Sequence, residues 1–93
     1  MSKIDEYARE RSMRDSEFAK EAVQDNMNLE VAVQVRDLRN SLGLSQREFA
    51  KLVGKPQSTI ARIESGSMNA STKLLSEIAQ ATNQKVKIEF MSI

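Results

Sequence analysis

The sequence predicts an all-α domain that ends in one short β-strand. Helices are indicated because apolar residues recur at intervals of three and four along most of the chain, and because the three glycines fall between these periodic stretches. The strand is indicated by residues 85–90, KVKIEF, in which charged and apolar residues alternate strictly. A length of 93 residues suits one small domain with a modest core.

Residues 1–28 are predicted to form a helical arm that precedes the main domain. The run is rich in helix formers, with a break and a new helix start expected at Asp15 or Ser16 and a turn at residues 26–28. The arm has few apolar residues for its length, so we expect it to pack on the domain or on another protein. The alternative is an amphipathic arm that packs on nothing important.

The main domain is predicted to span residues 29–83. Its first helix runs from Leu29 to Leu42 and ends at Gly43, and its last helix begins after a capping serine, Ser71. The apolar residues of both helices are spaced to face the segment between them. That central segment is therefore expected to supply the rest of the core.

The central segment, residues 45–66, reads SQREFAKLVGKPQSTIARIESG and has the pattern of two short helices joined by a tight turn. Ser45 and Glu48 can form a capping box, Gly54 ends the first helix and Pro56 suits the start of the second. With so short a connection the helices must cross steeply, which is the helix-turn-helix arrangement that presents its second helix to the major groove of DNA. An ordinary helical hairpin is the alternative.

The stretch LGLSQREFAKLVGKPQSTIARIESG resembles the helix-turn-helix of lambdoid phage repressors and their Cro relatives, the XRE family. The similarity covers about residues 35–79 and implies a lambda-repressor-like fold. In that family one glutamine opens the first helix and another opens the recognition helix, positions that Gln46 and Gln57 occupy here. The resemblance also implies a structural ion pair between Arg39 and Glu64.

The exposed face of the recognition helix is predicted to read DNA, because Ile60 and Ile63 occupy its buried face. Glutamine can form paired hydrogen bonds with adenine, and arginine can do so with guanine. The predicted base contacts are Gln57, Ser58 and Arg62. The predicted phosphate contacts, which would set the register on the duplex, are Gln46, Lys55, Thr59, Asn69 and Ser71.

Charge is distributed unevenly along the chain. Residues 1–30 hold five basic and eight acidic residues, a net charge of −3, whereas residues 31–93 hold nine basic and five acidic residues, a net charge of +4. This asymmetry suggests a basic surface for phosphates and an acidic surface for a basic partner. On charge alone, a simply solvated acidic helix explains the first segment equally well.

The order of an acidic arm containing RDSEF, a repressor-like domain and a terminal KVKIEF strand resembles the HigA-type antitoxins of bacterial toxin–antitoxin pairs. The resemblance implies a protein that binds and silences a RelE-like ribonuclease toxin and also represses its own operon. Charge complementarity between an acidic arm and a basic toxin fits such an interaction. The toxin-binding candidates are Tyr7, Arg11, Glu17, Phe18 and Glu21.

Residues 84–93 are the candidate dimerisation segment. A lone strand leaves its backbone groups unpaired, so we expect it to pair with another chain. Pairing with its own copy would give a homodimer with the two-fold symmetry of operator DNA, through contacts of Val86, Ile88 and Phe90. A disordered tail is one alternative, and a strand that extends the sheet of a toxin is another.

Composition argues against an enzyme. The chain contains no cysteine and no histidine, which removes thiolate nucleophiles, the usual general base and the commonest metal ligands. No cofactor or metal is expected, and an RNA-modifying component is the weakest interpretation. No signal-peptide pattern or membrane-spanning apolar run is present, so we expect a bacterial cytoplasmic protein, located at the nucleoid when bound to DNA. A phage-type or stand-alone repressor without a toxin partner is the main alternative.

Overall fold

A computed structural model describes the backbone of residues 3–93 and the side chains of residues 17–93. Within these residues the chain forms four helices in the order α1 (Lys3–Ser41), α2 (Gln46–Val53), α3 (Gln57–Glu64) and α4 (Thr72–Ala81). The segment after α4 has no regular secondary structure. The all-α class predicted from the sequence is therefore confirmed for the described part of the chain.

Helix α1 is longer than the sequence predicted. It runs without interruption for 39 residues, through Asp15 and Ser16 and through residues 26–28, so the predicted break and turn at these places are wrong. None of these positions holds glycine or proline, and Asp, Ser and Asn disfavour a helix interior by only fractions of a kcal/mol, about 0.7 kcal/mol at most. Residue 28, the predicted end of the arm, consequently lies inside one continuous helix.

The ends of the shorter helices follow local sequence signals. The Ser45 hydroxyl accepts the Glu48 backbone N–H at 3.1 Å, and the Glu48 carboxylate accepts the Ser45 N–H at 3.1 Å, which confirms the predicted capping box. The hydrogen bond from the Ser45 backbone N–H holds the pKa of the Glu48 carboxyl below its ordinary value. At the other end of α2, Gly54 adopts a left-handed conformation with φ 70°, and Lys55 N–H reaches back to the Ala50 carbonyl.

The core lies between the four helices. Helix α3 packs against both α1 and α2, and α2 also packs against α4. Phe49, Ile60 and Ile63 are fully buried at the centre. The whole core cluster consists of Val35, Phe49, Ala50, Val53, Ile60, Ile63, Leu74 and Ile78. This packing fixes α3 at the surface of the domain with one face inward.

The predicted C-terminal strand is absent from the part of the chain that the structure describes. Residues 85–90 form no strand, and Val86, Ile88 and Phe90 are all exposed, Phe90 completely. A strand needs a neighbouring backbone to satisfy its hydrogen bonds, and no other segment of this chain has the alternating pattern. The strand prediction is therefore wrong for the single chain.

Candidate nucleic-acid interface

Helix α3 has a buried face and an exposed face. Ile60 and Ile63 point into the core with 0% and 1% of their surface exposed. The three predicted base-contact residues, Gln57, Ser58 and Arg62, are all exposed. Two flexible side chains with amide and guanidinium donors are thus available on a helix whose buried side is anchored, which is the arrangement that direct reading of base edges requires.

A three-residue connection sets the angle between α2 and α3. Gly54 turns the backbone in the left-handed region, and Pro56 is extended at φ −60° and ψ 146° before α3 begins. The Lys55 ammonium between them contacts the Glu77 carboxylate of α4. The hydrogen bond from Lys55 holds the pKa of Glu77 below its ordinary value. The turn is therefore tied to α4, and Lys55 already has one acidic neighbour.

A buried carboxylate at the end of α3 joins it to α1. The Glu64 side chain is only 2% exposed, and Arg39 binds it through two parallel hydrogen bonds, Nε to Oε2 at 2.8 Å and Nη2 to Oε1 at 2.9 Å. The third guanidinium nitrogen of Arg39 donates to the Leu44 carbonyl at 2.9 Å. Such a two-point contact constrains direction as well as distance, so it holds the end of α3 in a defined orientation.

Two further side chains complete the cluster around Glu64. Gln46 of α2 donates to its Oε1 at 3.3 Å, and Arg36 of α1 donates to its backbone carbonyl at 2.9 Å. Burial by itself would raise the pKa of Glu64, but hydrogen bonds from Arg39 and Gln46 and the positive charges of both arginines outweigh it and lower that pKa. The same contact with Glu64 raises the pKa of Arg39. The pair is therefore ionised at neutral pH.

The predicted phosphate-contact residues occupy different environments. Gln46 is engaged by Glu64, and Asn69 accepts a hydrogen bond from Asn28 of α1 at 2.6 Å. The Ser71 hydroxyl caps α4 by accepting the Leu74 N–H at 3.0 Å, which leaves its proton free to donate. Thr59 is half-buried. Several of these polar groups are thus preorganised by contacts within the protein.

The described part of the arm is open to solvent. Every side chain from residue 17 to residue 27 is exposed, including the toxin-binding candidates Glu17, Phe18 and Glu21. Among the described side chains of α1, Phe18 is the most exposed large apolar residue, at 78%. The candidates Tyr7 and Arg11 lie outside the residues whose side chains the structure describes.

Sequence reasoning did not find several contacts that shape this region. It assigned no role to Arg36 or Asn28, and it did not pair Lys55 with Glu77. Each contact joins residues that are far apart in the chain, so no local spacing could reveal it. The sequence does carry one signal: Asn28 is a polar residue at the edge of the apolar face of a helix, and a partly buried polar group needs a hydrogen-bond partner.

The fold and the exposed face of α3 define a helix-turn-helix DNA-binding module. Residues 35–87, more than half of the chain, match the HTH_3 family model, described as helix-turn-helix. The chain therefore belongs to the HTH_3 family, of the XRE type, and is a DNA-binding transcription regulator. The family is non-enzymatic, in agreement with the expectation from composition. No helix among the described residues is long and apolar enough to cross a membrane.

Known relatives match part of the chain. Two uncharacterised HTH-type transcriptional regulators of Archaeoglobus fulgidus are each 34% identical over 58 residues, which is 62% of this chain and 83% and 82% of theirs. Antitoxin PezA of Streptococcus pneumoniae is 34% identical over 53 residues, 57% of this chain but only 34% of its own length. The similarity to PezA therefore concerns one part of a longer protein.

A solved structure shares the fold. The HTH_3 family transcriptional regulator from Vibrio cholerae superposes with a TM-score of 0.64 at 27% sequence identity. The match covers 67% of this chain and 35% of the other chain. This similarity supports the helix arrangement described above and the assignment to the family.

Proposed function

We propose that this regulator is an antitoxin that represses its own operon as a dimer and neutralises a RelE-like ribonuclease toxin by direct binding. The observation that carries the DNA-binding half of the proposal is the exposed face of α3, held in place by the buried Arg39–Glu64 pair. The toxin-binding half is supported by the acidic arm, whose side chains are exposed from residue 17 to residue 27, and by the similarity to antitoxin PezA.

In the proposed DNA complex, α3 lies in the major groove. Gln57 forms paired hydrogen bonds with an adenine and Arg62 with a guanine, while Ser58 contacts a neighbouring base edge. Phosphate contacts on either side of the groove fix the register, and the predicted ones are Gln46, Lys55, Thr59, Asn69 and Ser71. The ion pair at the end of α3 supports this mode because a rigid helix loses little freedom on binding.

Titration of fluorescent operator DNA tests the groove assignment. We expect Arg62→Ala to weaken binding by roughly 1–3 kcal/mol and to relax preference at one base pair, whereas Lys55→Ala weakens binding to all sequences alike. Gln57→Ala should also lose affinity for the native operator, while Gln34→Ala, on the exposed side of α1, should bind as the wild type does. Unchanged binding by Gln57→Ala would contradict the placement of α3.

The arm has the properties of a surface for a basic protein. Between residues 17 and 28 it carries Glu17, Glu21 and Asp25 against a single lysine, Lys20. Exposed apolar side chains stand beside these acids, with Phe18 at 78% and Val23 at 58%. A mixture of apolar contacts and negative charge suits a partner that offers apolar pockets within a positive surface.

Co-expression with the neighbouring gene product tests the toxin-binding half. We expect the full chain to capture a small basic protein encoded next to it, and we expect a variant lacking residues 1–27 to lose it while still binding DNA. Glu17→Lys with Glu21→Lys changes the charge of the arm by +4 and should weaken capture by more than four times the effect, in free energy, of Asn26→Lys, which changes it by +1. Absence of capture by the full chain would leave a stand-alone repressor as the function.

A further inference from the structure

A chain of amide hydrogen bonds joins α1 to the segment that follows the recognition helix. This segment, residues 65–71, is called the α3–α4 loop below. Asn28 Nδ2 donates to Asn69 Oδ1 at 2.6 Å, across 41 positions of sequence, and Gln24 Nε2 donates to Asn28 Oδ1 at 2.9 Å. Beside these hydrogen bonds, Leu29 covers Gly66 so closely that a Cβ on the glycine would lie 2.9 Å from the leucine Cδ2. Helix α1 therefore holds the loop at two points.

The hydrogen-bond chain has a direction. Gln24 donates a hydrogen bond to the side-chain oxygen of Asn28, so the side-chain nitrogen of Asn28 faces the loop. The Asn69 oxygen accepts from that nitrogen, and the Asn69 nitrogen, with its two protons, is left as the outward donor on an exposed side chain. Amide nitrogens of this kind are suitable donors to DNA phosphate oxygens, whereas an outward amide oxygen would be repelled.

We propose that Asn28 is a positioning residue for DNA binding, which orients Asn69 so that its amide nitrogen faces a phosphate although Asn28 itself does not touch DNA. The inference rests on the proposed phosphate contact of Asn69. The loop leaves the end of α3 directly and leads to Ser71 at the start of α4, so a phosphate held there sets how α3 sits along the groove. A phosphate contact does not depend on the base sequence, so the contact of Asn69 contributes equally on all sequences. Because Asn69 is neutral, this contact releases no counterion.

Affinity measurements on the full chain test this inference with two duplexes, the DNA upstream of its gene and a scrambled duplex of equal length. We expect Asn28→Ala to weaken binding to both duplexes by a similar factor, roughly twofold to tenfold, with the same salt dependence as the wild type. Asn26→Ala is the matched control, since Asn26 is exposed on the opposite side of α1. Equal affinities of Asn28→Ala and Asn26→Ala would overturn the proposal.

A double-substitution cycle separates positioning from general stability. If Asn28 acts through Asn69, Asn28→Ala costs affinity in the wild type but nothing further in a chain that already carries Asn69→Ala. Losses that add would overturn the proposal, whether or not the thermal midpoint of Asn28→Ala falls. The DNA affinity of Gln57→Ala is measured separately. If Gln57→Ala retains full affinity, the placement of α3 in the groove is wrong, but the double-substitution cycle still tests the phosphate contact of Asn69.

Reversing the polarity of the hydrogen bond gives a readout that a structural role would not produce. A carboxylate at position 28 can only accept, so Asn28→Asp should turn the Asn69 amide and direct its oxygen toward the phosphate. We expect Asn28→Asp to bind more weakly than Asn28→Ala. Asn26→Asp adds the same charge on the far side of α1 and corrects for simple repulsion. If Asn28→Asp loses no more than that control, the orientation of Asn69 does not matter and the proposal is wrong.

Discussion

Glu64, at the C-terminal end of α3, receives contacts from two other helices. Arg39 of α1 and Gln46 of α2 donate hydrogen bonds to its carboxylate, and Arg36 of α1 donates to its backbone carbonyl. A buried charge is costly unless it is fully paired, and here each carboxylate oxygen has a donor. The complete cluster therefore adds only modest stability to the fold, whereas removal of one member costs much more, because it leaves the remaining charge buried without its partner.

Arg39→Ala is therefore expected to destabilise the fold by about 3 kcal/mol, because it leaves Glu64 buried with its principal partner missing. Urea unfolding monitored by circular dichroism measures the difference. Arg47→Ala is the matched control, since Arg47 is exposed on α2 and its removal should change stability by no more than about 0.5 kcal/mol. Similar stabilities of the two variants would show that the Arg39 contact is energetically unimportant.

The Glu64 cluster also predicts how stability depends on pH. The pKa of Glu64 is lower in the folded chain than in the unfolded one, so the carboxylate stabilises the fold above its unfolded pKa, and this contribution is lost as pH falls through the folded value. Between about pH 6 and about pH 3 the wild type should thus lose more free energy of unfolding than Glu64→Gln does. Glu30→Gln, on the exposed surface of α1, should follow the wild type; equal slopes for all three would contradict the prediction.

At the scale of elements, the helix ends and the length of α1 have different origins. Each short helix begins or ends at residues that cap it locally, such as Ser45, Gly54 and Ser71. Helix α1 continues through weak helix breakers because its C-terminal part is packed on α3 and nothing in the arm forces a stop. A helix of 39 residues is about 58 Å long, so the arm continues from the domain as part of the same helix.

Gly54 is expected to tolerate asparagine better than alanine. Its φ of 70° lies in the left-handed region, and a Cβ there would meet no neighbouring atom, so the cost of substitution is backbone strain alone. Gly54→Ala should destabilise the fold by about 1–2 kcal/mol. Gly54→Asn should cost less, because asparagine tolerates the left-handed region, as Asn83 does with φ 59° two residues after the end of α4.

Thermal unfolding of the two Gly54 variants, with wild-type DNA affinity as a second readout, measures this difference. The matched control is Asn83→Gly, which should leave stability nearly unchanged because glycine adopts the left-handed region at least as easily. If Gly54→Asn were as destabilising as Gly54→Ala, the turn between α2 and α3 would be limited by something other than its left-handed conformation.

At the scale of the whole molecule, the chain is elongated, with extents of 61 × 26 × 19 Å. The core lies at one end of α1 and the acidic arm extends from it. At the other end of the sequence, Val86, Ile88 and Phe90 leave apolar surface uncovered in the single chain, together with Met91 and Ile93. Uncovered apolar side chains on an unpaired segment are the expected starting point for association between copies.

We expect this tail to support dimerisation. Light scattering after size exclusion should give twice the monomer mass for the full chain, and Val86→Lys with Ile88→Lys should shift it toward the monomer, because charges cannot be buried between paired tails. The matched control, Lys85→Gln with Lys87→Gln, changes the alternate positions and should keep the dimer. A monomeric full chain at the concentrations used for DNA binding would exclude pairing of the tails.

The local features of this fold were accessible from the sequence because they are short-range. The capping box at Ser45, the turn at Gly54 and the burial of Ile60 and Ile63 each depend on residues within a few positions of one another. The family resemblance placed Arg39 opposite Glu64, and the structure has these side chains in contact. The short-range prediction of a break at Asp15 or Ser16 is wrong, because the weak preference of these residues for helix ends does not interrupt α1.

The sequence by itself therefore determined the class of fold, the helix-turn-helix and the exposed face of α3, since helical periodicity and turn residues specify these locally. Only the tertiary structure decided that α1 is continuous, that Arg36 and Gln46 join the Glu64 cluster, and that Asn28 reaches Asn69. The physical reason is distance along the chain. Long-range polar contacts arise when helices pack against one another. Exposed amide and guanidinium groups do not recur at regular intervals in the sequence, so their long-range partners cannot be inferred from it.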